Sequence, residues 1–482
     1  MSRPAPIQAA QEPAYRMLWA ALLLFCLNFG LRFPGTLSFD AAKQYEQVVS
    51  GHYNDWHPPI MAFVWSLLKP FGGATPPMLA LQLIGHWLGF GLIADGLART
   101  GRKKAGWIML LSGASPYFLY FNGIIVKDVG MASALLCAFG LAFWFRVQNR
   151  AVPLAALLVA LFCIAYGTLV RTNGVFAFGP ILLYALLPPG RLTTARLIAG
   201  SLALAVIAVP VSTIINRRVL SAAPAGAMEA LQLWDLAGIA HQSGDLSVLP
   251  PGIRMTRSEL DNCYSPQHWL PLELNICNQA YLHLPPPGSP ERGAVGKMWM
   301  RAIIGHPLAY AEHRLNTFNA LLHFFVPAQQ CRFLPFDSSC GTPDPRTGRM
   351  IQTSDSPRFI RWDYVKKSSL IWPATWLALG MCLTGLLWFR PPSPALAGSK
   401  VLLASALFYA WAFLIVGVAA DIRYFYWPVL AIQSAAILGW NTLYQRIRNK
   451  DRAVLAAAGV LVLVLALGYF ARLTDNQSLV MP

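Results

Sequence analysis

The chain has 482 residues, of which 56% are hydrophobic and 12% charged; 38 Lys and Arg against 21 Asp and Glu give a net charge of +17. Soluble domains carry about 25% charged residues, so this composition excludes a soluble globular protein, and its high hydrophobicity excludes intrinsic disorder. The basic residues lie in small groups between apolar runs. This pattern is typical of an all-α, multi-pass membrane protein and argues against binding of nucleic acid.

Runs of about 20 mostly apolar residues indicate membrane-spanning helices, and the chain contains eleven candidates. In order they are Met17–Phe33, Pro77–Leu97, Trp107–Phe121, Gly130–Phe145, Val152–Leu169, Val175–Leu187, Leu197–Ile215, Leu370–Phe389, Val401–Ala419, Tyr426–Leu443 and Ala453–Phe470. A further apolar stretch, Pro59–Pro70, is too short to span and is predicted to lie at the membrane interface.

The distribution of Lys and Arg predicts a cytoplasmic N-terminus. In that orientation the short inner segments hold 16 basic residues and the short outer segments hold 7, as cytoplasmic loops require. The long loop from Arg217 to Lys367 then lies outside. We therefore predict an N-terminal transmembrane module (1–216) with its first external loop at 34–76, an extracytoplasmic loop with interfacial helices (217–369), and C-terminal transmembrane helices (370–482).

Four cysteines lie in the long outer loop, where three disulfide pairings are possible. Close spacing favours Cys263–Cys277 and Cys331–Cys340, which an oxidising periplasm allows. Four free thiols are the alternative.

Acidic residues are scarce before the long loop, and the first external loop holds three of the six, including Asp40 and Asp55. Ionisable groups near a bilayer indicate a functional site. Asp40 can act as a general base, although Asp is also a favoured helix N-cap. In the motif Asp55-Trp-His57-Pro-Pro, two prolines stiffen the backbone; the alternative is a plain Pro-rich turn.

Three cations are predicted at outer helix ends, together with a fourth acidic residue. Lys127 and Asp128 interrupt an apolar stretch, and Arg171 and Arg423 stand at two further helix ends. Lys and Arg bind phosphate, so these cations indicate an anionic ligand. The alternatives are a simple hairpin loop at Lys127-Asp128, snorkelling of each Arg, and Asp421 as an ordinary partner of Arg423.

An acidic residue soon after the first span, followed by Asp-Trp-His-Pro-Pro before an interfacial helix, resembles the first external loop of GT-C glycosyltransferases. The resemblance is strongest to the branch of protein O-mannosyltransferases and aminoarabinose transferases. Lys127-Asp128 resembles the second external acidic position of that superfamily, and Arg423-Tyr424 supports the C-terminal part. One departure is that Asp40 is followed by Ala41, where mannosyltransferases often carry adjacent acids.

The resemblance implies a GT-C-like bundle of about 11 transmembrane helices in a bacterial inner membrane, with the active site facing the periplasm or exterior. It implies transfer of a sugar from a polyprenyl-phosphate donor to a lipid, glycan or protein acceptor of the envelope. Membrane lipids would surround the site, and a divalent cation, Mg or Mn, is left open. The roles it implies are catalysis by Asp40 and Asp128 and substrate binding by Asp55, His57, Lys127, Arg171, Arg423 and Tyr424.

Three other functions are compatible with the composition. A transporter or flippase of lipid-linked sugars would carry ionisable residues near the membrane midplane, whereas here they cluster at one face. A ligase or polymerase of surface polysaccharide would use the same class of donor. A non-catalytic assembly protein would use the long loop as a binding surface.

Overall fold

A computed structural model describes residues 15–72, 75–267, 269, 272, 289, 292–326, 341–343, 350–352, 368–391 and 393–474. Within these ranges the chain is an all-α, multi-pass membrane protein, as predicted, and strands are limited to two short pairs.

The N-terminal half consists of ten helices. They are α1 (Arg16–Arg32), α2 (Phe39–Ser50), α3 (Ile60–Leu68), α4 (Pro76–Arg99), α5 (Lys103–Ser112), α6 (Pro116–Asn122), α7 (Lys127–Arg146), α8 (Leu154–Leu169), α9 (Phe178–Leu186) and α10 (Thr194–Ile214). The last of these continues as a π-helical turn, Ile215–Val219. The short helix α3 matches the predicted interfacial segment in position, and its seat in the membrane stays a prediction.

The described residues of the remainder form eight α-helices. They are α11 (Ala227–Ser243), α12 (Arg257–Cys263), α13 (Gly293–Gly305), α14 (Pro307–Leu322), α15 (Pro373–Leu387), α16 (Pro394–Val416), α17 (Tyr426–Arg448) and α18 (Arg452–Thr474). Several begin with proline, which has no N–H to lose in the first turn and a φ already suited to a helix. At α16 the side chain of Ser393 also accepts a hydrogen bond from the backbone N–H of Leu396, as expected of an N-cap.

In the part of the chain that the structure describes, five helices are long and apolar enough to cross a membrane: α4, α7, α10 with its π turn, α16 and α18. Each of the eleven predicted spans coincides with helical structure, but the count of eleven crossings stays a prediction. Helix α9 has nine residues and is about 14 Å long, less than the ~30 Å hydrocarbon core.

The predicted span Trp107–Phe121 is not one continuous helix. It is divided between α5 and α6, and the break lies at residues 113–115. Pro116 begins α6, and Ser115 before it has an extended ψ of 149°. Steric contact with the proline ring disfavours helical geometry in the preceding residue, so Pro116 accounts for the interruption.

Helices α4 and α7 form the centre of the membrane domain and pack with their backbones close together. A Cβ built on Gly140 would lie 2.8 Å from the carbonyl oxygen of Gly89, and a Cβ on Gly89 would lie 2.6 Å from Cγ of Leu136. Small residues at helix interfaces allow this approach in membranes. Helix α18 differs from them. Only 6% of its 18-residue apolar segment is buried within the protein, so most of its side chains face outward.

The described part of the outer loop has a small hydrophobic core of its own. Helices α11 to α14 contribute buried side chains that include Trp234, Ile239 and Leu260. Cys263 at the end of α12 is disulfide-bonded. Cys277, Cys331 and Cys340 lie outside the described residues, so the predicted pairings stay predictions.

A short parallel strand pair joins the first external loop to the start of α7. Strand β1 (Thr36–Leu37) pairs with β2 (Ile124–Ile125), with Thr36 opposite Ile124 and Leu37 opposite Ile125. The second pair, β3 (Gly341–Pro343) with β4 (Met350–Gln352), is antiparallel. Because the first pair ends three residues before Asp40 and two before Lys127, it brings these two residues to the same end of the bundle.

The close contact of α4 with α7 predicts that replacing a glycine by valine lowers stability at this interface but not on the outward-facing helix α18. We expect Gly140→Val to lower the free energy of unfolding by about 1–3 kcal/mol, because the added methyl groups overpack the interface. Gly459→Val on α18 is the matched control, since a Cβ there meets no atom within 4 Å. Thermal unfolding in detergent measures both variants. Equal losses would show that α4 and α7 are not packed this closely.

Candidate active site

Asp40 lies in the first turn of α2 with its carboxylate turned toward three groups from elsewhere in the chain. Its Oδ2 is 2.8 Å from a terminal nitrogen of Arg423 and 3.4 Å from Nζ of Lys127, and its Oδ1 is 3.7 Å from Nε2 of His57. The side chain of Asp40 is 21% exposed, so a ligand can reach it from the surface.

Asp40 is not the N-cap of α2, which was the alternative interpretation. Ser38 has that position, and its side-chain oxygen accepts a hydrogen bond from the backbone N–H of Ala41. A carboxylate in the first helical turn is still favoured by the helix dipole. Because the capping interaction is made by Ser38, the carboxylate of Asp40 makes its contacts with the cations.

Lys127 lies between Asp40 and His57. Its Nζ is 2.7 Å from Nδ1 of His57, so the ammonium donates to this ring nitrogen and the imidazole proton is assigned to Nε2, which faces Asp40. Burial first, and the charge of Lys127 second, lower the pKa of His57 to about 3. His57 is therefore neutral at physiological pH, and it holds the ammonium of Lys127 by accepting a hydrogen bond from it.

Asp128, the next residue, is almost fully buried and contacts two guanidinium groups. It pairs with Arg171, and its Oδ2 lies 3.7 Å from Nε of Arg423. The guanidinium of Arg171 also lies over the ring of Tyr424 at 4.2 Å, and Tyr424 stacks on Phe413. The ring of Tyr424 thus holds Arg171 in addition to its ion pair with Asp128.

Asp421 holds Arg423 from a third direction. Its carboxylate lies 2.5 Å from Nε of Arg423 and accepts the backbone N–H of the same residue at 3.0 Å. The interpretation of Asp421 as a partner of Arg423 is confirmed. Burial raises the pKa of Asp421 to about 6, against the opposing charge of Arg423.

These residues form one ion-pair cluster, which we define as Asp40, Lys127, Asp128, Arg171, Asp421 and Arg423. It contains three carboxylates and three cations, so its formal charge is zero when all are ionised. Helices α7 and α17 begin next to its residues, and α8 ends two residues before Arg171, so the cluster lies among helix ends. That these residues share one face of the membrane stays a prediction.

The structure brings seven of the eight predicted site residues together and leaves one apart. Asp55 accepts a hydrogen bond from the backbone N–H of Ala225 at 2.6 Å and pairs with Arg217 at 3.3 Å. Among the described residues it therefore ties the first external loop to the start of the long outer loop, beside the bridge between Asn54 and Ala223. Its predicted role in substrate binding stays a prediction.

The ionisation of Asp40 is set by its neighbours. Burial alone raises the pKa of Asp40, but the positive charges of Lys127 and Arg423 act in the opposite direction and hold it well below its usual range. The carboxylate is therefore ionised at physiological pH. It accepts hydrogen bonds strongly, but it is a weak base for as long as both cations remain paired with it.

The donor set of the cluster does not fit a divalent cation. A hard cation such as Mg²⁺ requires several oxygen ligands, whereas the carboxylates of Asp40, Asp128 and Asp421 each face a guanidinium or ammonium group. Among the described residues, no group of three or more His, Cys, Asp or Glu side chains is arranged to hold a metal ion. We therefore derive no step through a metal.

Comparison with known proteins adds little to this geometry. No family model matches the chain, and no curated protein matches it. Among solved structures, the chain is similar to the crystal structure of ArnT from Cupriavidus metallidurans in the apo state. The identity is 13%, the TM-score is 0.30, and the match covers 88% of this chain and 76% of that chain. So low a score carries no argument, and the function is argued below from the site.

The raised pKa of Asp421 predicts a pH-dependent stability difference. In the unfolded chain the group titrates near an ordinary value of about 3.9, so the folded state binds the extra proton between about pH 4 and 6. The stability from this proton is present below pH 4 and is lost as the pH rises through about 6. Asp421→Asn removes this dependence, so the wild type should lose thermal stability relative to the variant between pH 5 and pH 7.5.

Asp451→Asn is the matched control for this measurement. Asp451 lies in the turn between α17 and α18, and hydrogen bonding from Arg446 lowers its pKa. It is therefore ionised throughout this pH range, and the difference in thermal stability between Asp451→Asn and the wild type should not change with pH. If the difference in thermal stability between Asp421→Asn and the wild type were also independent of pH, this would contradict the raised pKa of Asp421.

Proposed function

We propose that the chain is a glycosyltransferase of the GT-C type that transfers a sugar from a polyprenyl-phosphate donor to an acceptor of the cell envelope. The observation that carries this proposal is the contact of a partly exposed carboxylate, Asp40, with two cations, Lys127 and Arg423. A transferase that acts on a membrane-anchored phosphate donor needs an acceptor for a hydroxyl proton next to positive charges for the leaving phosphate.

The reaction that fits these groups is a displacement at the anomeric carbon of the donor sugar. The acceptor hydroxyl forms a bond to this carbon, and its proton passes to the carboxylate of Asp40. The bond between the anomeric carbon and the phosphate oxygen breaks, and its electron pair leaves with the polyprenyl phosphate. Preorganised cations stabilise the charge that develops on that oxygen, which is the role we assign to Lys127, Arg171 and Arg423.

The low pKa of Asp40 is compatible with this role if the donor competes for its cations. Lys127 and Arg423 neutralise Asp40 when no other anion is near. An incoming phosphate attracts the same two groups, which weakens their hold on the carboxylate and raises its pKa. Asp40 thus becomes a stronger base when donor is bound, and the enzyme keeps it unprotonated before that.

The topology supports an active site on the extracytoplasmic face of a bacterial inner membrane. The cluster lies at the predicted outer ends of its helices, and the split of 16 to 7 basic residues assigns the other ends to the cytoplasm. Asp128 supports Arg171 and Arg423 in this arrangement, and His57 supports Lys127.

Asp40→Asn is expected to lower sugar transfer by about 10²–10⁴-fold, the usual contribution of a general base. Asparagine can still accept a hydrogen bond from Arg423, so the protein should insert and elute as a folded species. Transfer is measured in membrane vesicles supplied with polyprenyl-phosphate sugars, with formation of a glycosidic bond as the readout. Full activity of Asp40→Asn would remove Asp40 as the base.

Glu46→Gln is the matched control because Glu46 lies on the same helix. It is exposed and pairs with Lys43 at 2.9 Å, away from the cluster, so its removal should leave transfer unchanged. The same vesicles also test the transporter alternative. Movement of the donor across sealed vesicles without a new glycosidic bond would contradict the transferase proposal.

A further inference from the structure

A second buried polar cluster lies in the outer loop and contains a fully buried carboxylate. Asp235 on α11 accepts hydrogen bonds from Arg314 at 2.6 Å, from Nε2 of His313 at 3.0 Å and from the indole N–H of Trp299 at 2.7 Å. The side chains of Asp235 and His313 are 0% exposed, and that of Arg314 is 4% exposed. Burying an ion pair is costly unless its remaining hydrogen-bonding groups are satisfied.

Arg314 uses its second terminal nitrogen outside this cluster. Its Nη1 donates to the backbone carbonyl of Gly417 at 2.8 Å, and Gly417 is the first residue after α16. The guanidinium therefore connects the buried carboxylate of the outer loop to the chain segment between α16 and α17. We call residues 417–425 the Arg423 segment.

The Arg423 segment has a second attachment to the outer loop, three residues further on. The backbone N–H of Ala420 donates to the carbonyl of Gln267 at 2.6 Å, and the side chain of His323 hydrogen-bonds to the backbone of Ala420. From Ala420 only two residues separate the chain from Arg423. The attachments at Gly417 and Ala420 thus determine where the guanidinium of Arg423 can lie.

We propose that Arg314, oriented by Asp235, is a positioning residue that holds the Arg423 segment so that Arg423 meets Asp40. This inference rests on the proposed function, because it gives the outer loop a part in building the same active site. It explains why an arginine whose charge is already paired by Asp235 also reaches the end of a membrane helix. Two terminal nitrogens in a rigid planar group suit this double contact, whereas a lysine has one nitrogen on a flexible stem.

Arg314→Lys separates the two contacts. The variant keeps a positive charge against Asp235 but has a single ammonium in place of two guanidinium nitrogens, so we expect the contact with Gly417 to be lost. Amide hydrogen exchange of the detergent-solubilised full chain is the measurement. Exchange within residues 417–425 should rise about tenfold, as for loss of a hydrogen bond from a charged donor, while exchange within α11 and α14 stays unchanged.

Gly417→Ala provides a second variant that leaves the buried cluster intact. A Cβ on Gly417 would lie 2.5 Å from the carbonyl oxygen of Phe413, so the segment must shift, and its exchange should rise as well. Arg301→Lys is the matched control, because Arg301 is an exposed residue of α13 and its variant should exchange like the wild type. Unchanged exchange within 417–425 in folded Arg314→Lys would overturn the proposal, and a rise in Gly417→Ala shows that the measurement detects a shift of the segment.

Exchange confined to the outer loop in Arg314→Lys would also overturn it, because Arg314 would then serve only the packing of that loop. Sugar transfer is measured in parallel, and kcat of Arg314→Lys should fall about tenfold. If the wild type transfers no sugar, the proposed function fails, whereas the exchange result still decides whether Arg314 positions the Arg423 segment.

Discussion

The guanidinium of Arg423 is the group on which the candidate site depends, since it contacts the neighbouring carboxylate of Asp421 and two carboxylates from the N-terminal half of the chain. It lies 2.8 Å from Asp40, 3.7 Å from Asp128 and 2.5 Å from Asp421. Removing one partner from a buried ion pair leaves an uncompensated charge and costs about 3–5 kcal/mol. These charges are therefore retained together, and they link the first external loop, the start of α7 and the turn before α17.

The membrane fold makes such a cluster possible because it sorts polar groups to the ends of helices. Backbone groups within a spanning helix satisfy one another, so side-chain charges are tolerated where helices begin and end. The short strands β1 and β2 then determine which ends meet, since their pairing brings the first external loop beside Lys127. A two-residue register thereby controls the separation of the proposed base and its nearest lysine.

The outer loop participates in this arrangement and does not merely cover it. Its core around Trp234 supports the buried carboxylate of Asp235, and Arg314 carries the connection to Gly417. Asp55 supplies another connection by accepting the backbone N–H of Ala225, so the His-Pro-Pro turn is attached to the beginning of the loop. Two segments at the candidate site, the turn with His57 and the segment with Arg423, are thus both held by residues of the loop between α10 and α15.

Hydrophobic periodicity and run length alone determined the helical class, the approximate spans and the outer loop, because the bilayer requires about 20 apolar residues per crossing. The scarcity of charge made Asp40, Lys127 and Arg423 conspicuous for the same reason, since isolated ions are rare in such a chain. Sequence spacing could not distinguish Asp55 from Asp40, because both are acids in one loop and most of their partners lie in other helices and loops of the chain. The break before Pro116 follows from the steric effect of proline, but the uninterrupted apolar run led to the prediction of one continuous span. The pairing of Asp421 with Arg423 could be inferred from their closeness in the sequence. Only tertiary structure decided that Asp40 meets both Lys127 and Arg423, because these ion pairs depend on distances of a few ångströms between residues that lie far apart in the chain.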